Sequence, residues 1–193
     1  DYKIPKEYFE QLLQGMRMDL GKNRYETFQE LSDYCYKAAG VVGLIMLRVL
    51  GAEDEAARPY AVDMGTAMQL TNIVRDIRED GQRGRVYIPQ EDLEAFGVSR
   101  DNLSAQAVDE NFRSLLKFQI NRARLYYDRA MTGIRCIRDP RSRLVVLCMK
   151  NIYSGILDDV ERSGYDVFSR RAHVSSWRKI KIALELLLKG EYR

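Results

Sequence analysis

From Gln69 to Asp80 the chain reads Gln-Leu-Thr-Asn-Ile-Val-Arg-Asp-Ile-Arg-Glu-Asp, and its apolar residues recur at helical rather than strand spacing. At about 100° per residue, Gln69, Asn72, Asp76 and Asp80 fall within roughly 80° of one another, while Leu70, Ile73, Val74 and Ile77 fill the neighbouring sector. The fold must therefore bury one side of a helix and keep a stripe of amides and carboxylates beside it. Asp76 and Asp80 are one turn apart, so both carboxylates reach one hard cation, and Arg75 adds a fixed positive charge at the edge of the stripe. An Asp-x-x-x-Asp pair is more commonly a solvated acidic face. Here Gln69 and Asn72 prolong the stripe, where a solvated face would carry Lys and Glu, and that points toward a metal-bound diphosphate. Arg78 and Glu79 fall off the stripe and read as ordinary surface charge.

The rest of the chain follows the same period, with almost no strand alternation. Pro5 suits the first turn of a helix running to about Leu20, with Phe9, Leu12, Leu13 and Met16 on one side, and Gly21 ends it. A long apolar helix is expected from Thr27 to Leu50, and a third from about Glu53 to Asp80, with Gly81 as its stop. Residues 81–89, Gly-Gln-Arg-Gly-Arg-Val-Tyr-Ile-Pro, break the helix directly after the acidic stripe and form the one loop placed to fold over a site. A connector over 92–99 leads to a helix from roughly Ala105 to Ile134. Asp139-Pro140 is an N-cap and first-turn pair for a helix to about Arg162, and the last helix spans about Ser175 to Lys189. No repeat or linker interrupts the pattern, so one all-α domain is expected.

Composition narrows the function. The 193 residues hold 46% hydrophobic residues, and Lys+Arg 31 against Asp+Glu 28 leaves +3, too balanced for the dense basic surface that nucleic acid requires. No run approaches the length of a membrane span, and the first residues carry no signal-peptide core. Cys35, Cys136 and Cys148 sit in helical apolar patterns and read as core thiols of a reducing compartment. His173 is the one histidine, without a Cys or Glu at ligand spacing, so carboxylates, tyrosines and metal are left to carry the chemistry.

Three further constellations have two readings each. Tyr34-Cys-Tyr-Lys-Ala-Ala-Gly-Val-Val-Gly43 places two glycines inside a helix, at roughly 0.5 to 1 kcal/mol each relative to Ala. Close helix packing accounts for them; so does a smooth Ala38, Val42 wall of an apolar channel, with Tyr34 presenting its hydroxyl at the mouth. Arg83, Arg85 and Tyr87 form a solvated basic turn or close on phosphate oxygens. By periodicity alone Tyr153 is core, Arg170 and Arg171 are surface, and Asp158-Asp159 is a solvated helix face.

Taken together, three of these blocks resemble the squalene/phytoene synthase family. The stripe from Gln69 to Asp80 with Gly84-Arg-Val-Tyr-Ile-Pro89 resembles its second aspartate-rich motif and following loop, Tyr34 to Gly43 its tyrosine motif, and Tyr165-Asp-Val-Phe-Ser-Arg-Arg171 its C-terminal arginine region. The run 84–89 looks more like phytoene and dehydrosqualene synthases than eukaryotic squalene synthases. The resemblance implies an isoprenoid synthase-type helical bundle around a central apolar cavity. It also implies head-to-head condensation of two farnesyl or geranylgeranyl diphosphates through a cyclopropylcarbinyl diphosphate. Asp76 and Asp80 would bind Mg²⁺, for which Mn²⁺ can substitute, with Asn72 and Gln69 completing the metal and diphosphate shell. Arg75, Tyr87 and Arg171 would hold diphosphate oxygens, Tyr34 would face the reacting carbons, Tyr153 would lie near the diphosphate, and Ala38 and Val42 would wall the channel. A cytoplasmic enzyme with peripheral membrane contact for product release is expected. The family's first aspartate-rich motif has no equivalent here, so the 193 residues are expected to be a portion of a longer enzyme, with activity belonging to the whole. The rival readings are a non-catalytic relative, which would be expected to lose the aspartates, and a helical interaction domain without a small-molecule site.

Overall fold

The computed structural model describes residues 2–52, 55–99, 103, 105–190 and 192; among these the chain is helices and turns, with one isolated parallel bridge between Arg24 and Val86. The helices are α1 (Lys6–Gly21), α2 (Phe28–Cys35), α3 (Val41–Val49), α4 (Arg58–Arg75), α5 (Ile77–Gln82), α6 (Gln90–Ala95), α7 (Glu110–Thr132), α8 (Pro140–Arg162) and α9 (Ser176–Lys189), with a π-helical turn, Tyr36–Gly40, between α2 and α3. Helix α4 is the hub: it packs along α7, against α3 and the π turn, and against α8. Leu70, Ile73 and Val74 of α4 meet Leu115, Leu116 and Ile120 of α7 and Leu157 and Val160 of α8 in the main core. A buried hydroxyl pair, Thr71 with Tyr127 at 2.9 Å, fixes the register of α4 on α7. No described helix is long and apolar enough to cross a membrane.

Local signals set the helix starts. Thr27, Asp109, Asp139 and Ser175 each accept a hydrogen bond from a backbone N–H in the first turn, and Pro140 occupies the position where a missing N–H costs nothing. The start of α7 accordingly falls at Glu110 rather than at Ala105, because Asp109 is the cap.

Tertiary packing moved other boundaries. The expected helix from Thr27 to Leu50 widens into a π turn over Tyr36–Gly40. The expected helix to Asp80 bends at Asp76, whose φ of -101° and ψ of 15° separate α4 from α5, and Gly81 lies inside α5 instead of ending it. The expected start at Glu53 lies outside the described residues. Part of the anticipated connector is a helix, α6, tied to α7 by the buried pair of Asp92 and Arg122. In α1 the side bearing Phe9, Leu13 and Met16 is exposed; α1 docks instead through Tyr8 and Gly15, the latter against the backbone of Lys37 and Ala38. Cys35 is fully buried, whereas Cys136 and Cys148 are half-buried.

Candidate active site

An apolar cavity of about 230 Å³ lies between α3, α4, α7 and the start of α8. Ala38, Ala39, Val42 and Gly43 form one wall, Met64, Gly65 and Met68 of α4 the next, and Ile134, Ile137, Val146 and Met149 the far side. The glycines of this helix serve close packing, and Gly43 shares the cavity wall with Ala38 and Val42. A Cβ on Gly43 would sit 2.1 Å from the Ala61 carbonyl oxygen, and one on Gly65 2.3 Å from that of Ala39, so the backbones touch where they also leave a smooth wall.

Gln69 and Asn72 close the polar end of this cavity. Gln69 Nε2 donates to the Tyr34 hydroxyl at 3.4 Å, and Asn72 Nδ2 donates to Gln69 Oε1 at 3.4 Å. Asn72 Oδ1 is buried without a partner, as is Glu79 Oε2. One turn beyond Asn72, the Asp76 carboxylate is gripped twice. Arg75 donates from Nε at 2.7 Å and from Nη2 at 2.5 Å, and Arg171 donates from Nε at 2.8 Å and from Nη2 at 3.1 Å. Burial works to raise the Asp76 carboxyl, but the two guanidinium groups outweigh it and hold it below the usual range. Asp80 has the opposite balance: burial, then the Asp76 charge, push it up to about 6.

The stripe expected on one continuous helix is divided at Asp76, between α4 and α5. Gln69 and Asn72 line the apolar cavity, whereas Asp80 lines an adjoining groove of about 450 Å³ with Ile73, Ile77, Arg85, Tyr87 and Phe168. The donors that remain close in sequence, two carboxylates and a buried amide oxygen, are all hard oxygen ligands. No described group of three His, Cys, Asp or Glu converges as a closed metal site. Carboxylate and amide oxygens are the donor types that Mg²⁺ takes alongside waters and substrate phosphate. The orphaned Asn72 oxygen and the raised carboxyl of Asp80 are the two groups that a cation would satisfy.

Tyr34 is buried and lies outside the lining of the apolar cavity; the π turn beginning at Tyr36 offsets it from the Ala38, Val42 line. It packs against Tyr87 at 5.3 Å and Tyr25 at 5.5 Å between ring centroids. Tyr87 donates its hydroxyl to Asp19 Oδ1 at 2.8 Å. Burial, then the neighbouring Tyr87 and Asp19, hold the Tyr34 phenol far above its ordinary range, and Tyr87 is pushed up to about 12 by burial and its bond to Asp19. Both phenols are therefore neutral hydrogen-bonding groups. The loop over 83–89 is fastened rather than free: Arg85 Nη2 donates to the Asp19 carbonyl at 2.8 Å, and the Val86 and Gln90 N–H groups donate to Asn23 and Tyr25 carbonyls.

Arg171 reaches Asp76 because the segment after α8 is tied down at several points. Asp159 accepts from Arg170 at 2.6 Å, from Arg162 at 3.1 Å and from the His173 N–H at 3.2 Å, and Arg78 donates to the Phe168 carbonyl at 2.7 Å. Asp158 holds Arg124 and Arg178. Asp158, Asp159, Arg170 and Arg78, which read as surface charge, are thus scaffold. Tyr153 is half-buried against the main core and lines neither cavity. Sequence reasoning missed Asp19, Tyr25 and Asp159; the only hint lay in the buried hydroxyl and guanidinium groups that need acceptors.

The squalene/phytoene synthase family model matches residues 1–178. A phytoene synthase of Arthrospira platensis is 44% identical over 185 residues, covering 89% of this chain and 60% of the relative. A 15-cis-phytoene synthase of Synechococcus elongatus is 41% identical over 191 residues, covering 93% and 62%. The crystal structure of a dehydrosqualene synthase in complex with ligand superposes with a TM-score of 0.92 at 30% identity, covering 98% of this chain and 67% of that one. The chain thus spans about 60% of the length of these two curated relatives.

Proposed function

We propose, since this chain belongs to the squalene/phytoene synthase family, that it carries the second half of the diphosphate site and one wall of the prenyl channel of an enzyme joining two prenyl diphosphates head to head. Relatives at 44% and 41% identity named phytoene synthases favour geranylgeranyl diphosphate as substrate and phytoene as product, with farnesyl diphosphate and dehydrosqualene as the shorter pair. The observation that carries the reading is the junction at Asn72 and Asp76. An apolar cavity ends there at an unpaired amide oxygen, and one turn later two arginines converge on one carboxylate.

Mg²⁺ held by Asp76, Asp80 and Asn72 would supply Lewis-acid assistance to departure of the diphosphate. Arg75 and Arg171, whose planar forks match phosphate as well as carboxylate, would bind the diphosphate oxygens and carry its charge as the allylic C–O bond breaks. The Ala38, Val42 and Met68 wall offers the resulting carbocation no water. Tyr34, kept neutral, orients Gln69 through its hydroxyl, and Tyr87 lines the groove beside Asp80 while donating to Asp19 and packing on Tyr34. A hydrocarbon product requires an apolar phase, so the reading includes a cytoplasmic enzyme touching a membrane peripherally.

The test is to incubate the full-length protein with Mg²⁺ and geranylgeranyl or farnesyl diphosphate and identify the hydrocarbon, alongside Asp76→Asn and Asp80→Asn. Loss of either carboxylate removes several kcal/mol of charge stabilisation, so product should fall at least about 100-fold with the fold intact. Near-parental turnover in either variant overturns the reading. A non-catalytic relative would give no product, and a pure scaffold would show no rise in melting temperature with Mg²⁺ and a prenyl diphosphate.

A further inference from the structure

Helix α9 is apolar on two opposite sides. Arg178, Ile182 and Leu186, at i, i+4 and i+8, run down the side that meets α8: Leu186 is buried, Ile182 packs on the main core, and Arg178 donates to Asp158 at 3.3 Å. Trp177, Ile180, Leu184, Leu187 and Leu188 fall within roughly 100° on the opposite side. All five are exposed, Trp177 at 83% and Leu188 at 87%. The charges of the helix are Arg178, Lys179, Lys181 and Lys189 against Glu185 alone. A second uncovered apolar stripe in the molecule is Phe9, Leu13, Met16 and Leu20 of α1, and it is flanked by Glu7, Glu10 and Asp19 against Lys6 and Arg17. An anionic surface repels the α1 stripe and attracts α9. The residue types of α9 also suit an interface: an indole near one end of the stripe, aliphatic side chains along it, and lysines whose stems reach past apolar surface to headgroups.

We infer that α9 is a membrane-docking helix, lying in the plane of an anionic bilayer with Trp177, Ile180, Leu184 and Leu188 in the acyl boundary and Lys179 and Lys181 at the headgroups. It names the surface for the membrane contact included in the proposed function, and rests on that reading only for the purpose the contact serves. The test uses the full-length protein and vesicles of phosphatidylcholine with phosphatidylglycerol, against pure phosphatidylcholine. The parent should sediment with the anionic vesicles at low salt and dissociate as salt rises. Trp177→Ser combined with Leu188→Ser touches no buried contact, so it should keep its melting temperature and its synthesis of product in detergent while vesicle binding falls at least about tenfold. Brominated lipid should quench a part of the tryptophan emission that Trp177→Phe lacks. Parental binding by the double variant, quenching unchanged in Trp177→Phe, or no binding of the parent to anionic vesicles would each overturn the inference. Binding without any prenyl product would uphold it and defeat the enzymatic reading instead.

Discussion

Arg171 lies 95 residues from Asp76 in sequence and clasps its carboxylate with two parallel hydrogen bonds, Nε to Oδ1 at 2.8 Å and Nη2 to Oδ2 at 3.1 Å. A lysine can supply the charge but not the fork. Arg171→Lys is therefore expected to keep the fold, since the guanidinium is half-exposed, and to lower kcat/KM of the full-length enzyme about 10- to 100-fold, a loss of roughly 1.4 to 2.7 kcal/mol. Steady-state kinetics with a melting curve checks it. Unchanged kcat/KM would reduce Arg171 to a structural clasp.

Asp159 governs where that arginine sits, and it does so through ionisation. The Arg170 hydrogen bond, with help from the His173 N–H and Arg162, lowers its carboxyl to about 2 from an unfolded value of 3.8. A depressed carboxyl stabilises the fold above its unfolded value and ceases to as pH falls through its folded value. Asp159→Asn should thus lower stability at pH 7 by on the order of 1 kcal/mol, discounted because both guanidinium partners are half-exposed. The difference between variant and parent should shrink as pH falls from about 4 to about 2. A gap that persists unchanged at the acid end would show that Asp159 acts by shape rather than charge.

Gly43 and Gly21 give opposite expectations for the same substitution. Gly43→Ala drives a methyl to 2.1 Å from the Ala61 carbonyl oxygen, and the obstacle is backbone that cannot turn aside. The cost is about 2 to 3 kcal/mol, which lowers the melting temperature by roughly 4 to 12 °C. At Gly21 nothing lies within 4 Å, so Gly21→Ala should be neutral or stabilising by up to about 1 kcal/mol. Equal melting temperatures for the two variants would mean α3 and α4 are not in backbone contact.

What the sequence made legible was local chemistry. Asp139-Pro140 predicts a helix start because cap and first turn involve residues three apart, and the structure has Asp139 accepting from the Ser142 N–H at 2.9 Å. The Gln69 to Asp80 stripe was readable up to Asn72 for the same reason. The Arg171 clasp on Asp76 comes from beyond α8, and periodicity carries no record of it. The π turn at Tyr36–Gly40 is likewise wedged between Gly15 of α1 and Gly65 of α4, a relation between three segments. Asp159 looked like solvated charge because its partners Arg170 and His173 lie past the end of its own helix, where no i, i+4 rule reaches.

Ala38 decides whether the cavity wall is also a ruler for the prenyl tail. Its side chain, within the π turn, and that of Val42, at the start of α3, line the same cavity. Leu47, Leu50 and Val146 line the same cavity as Gln69 and Asn72, so a larger side chain at Ala38 takes volume from the space left for a prenyl tail. Overfilling a packed site costs roughly 1 to 3 kcal/mol, and that cost falls on the longer tail because the shorter one ends sooner. Ala38→Phe in the full-length enzyme should raise the ratio of turnover on farnesyl over geranylgeranyl diphosphate about 5- to 160-fold, the range those energies convert to. Competition between the two diphosphates, read by the hydrocarbon produced, measures the ratio directly. If it stays at the parental value while the melting temperature is unchanged, the tail does not run along the Ala38 wall and that wall is packing alone.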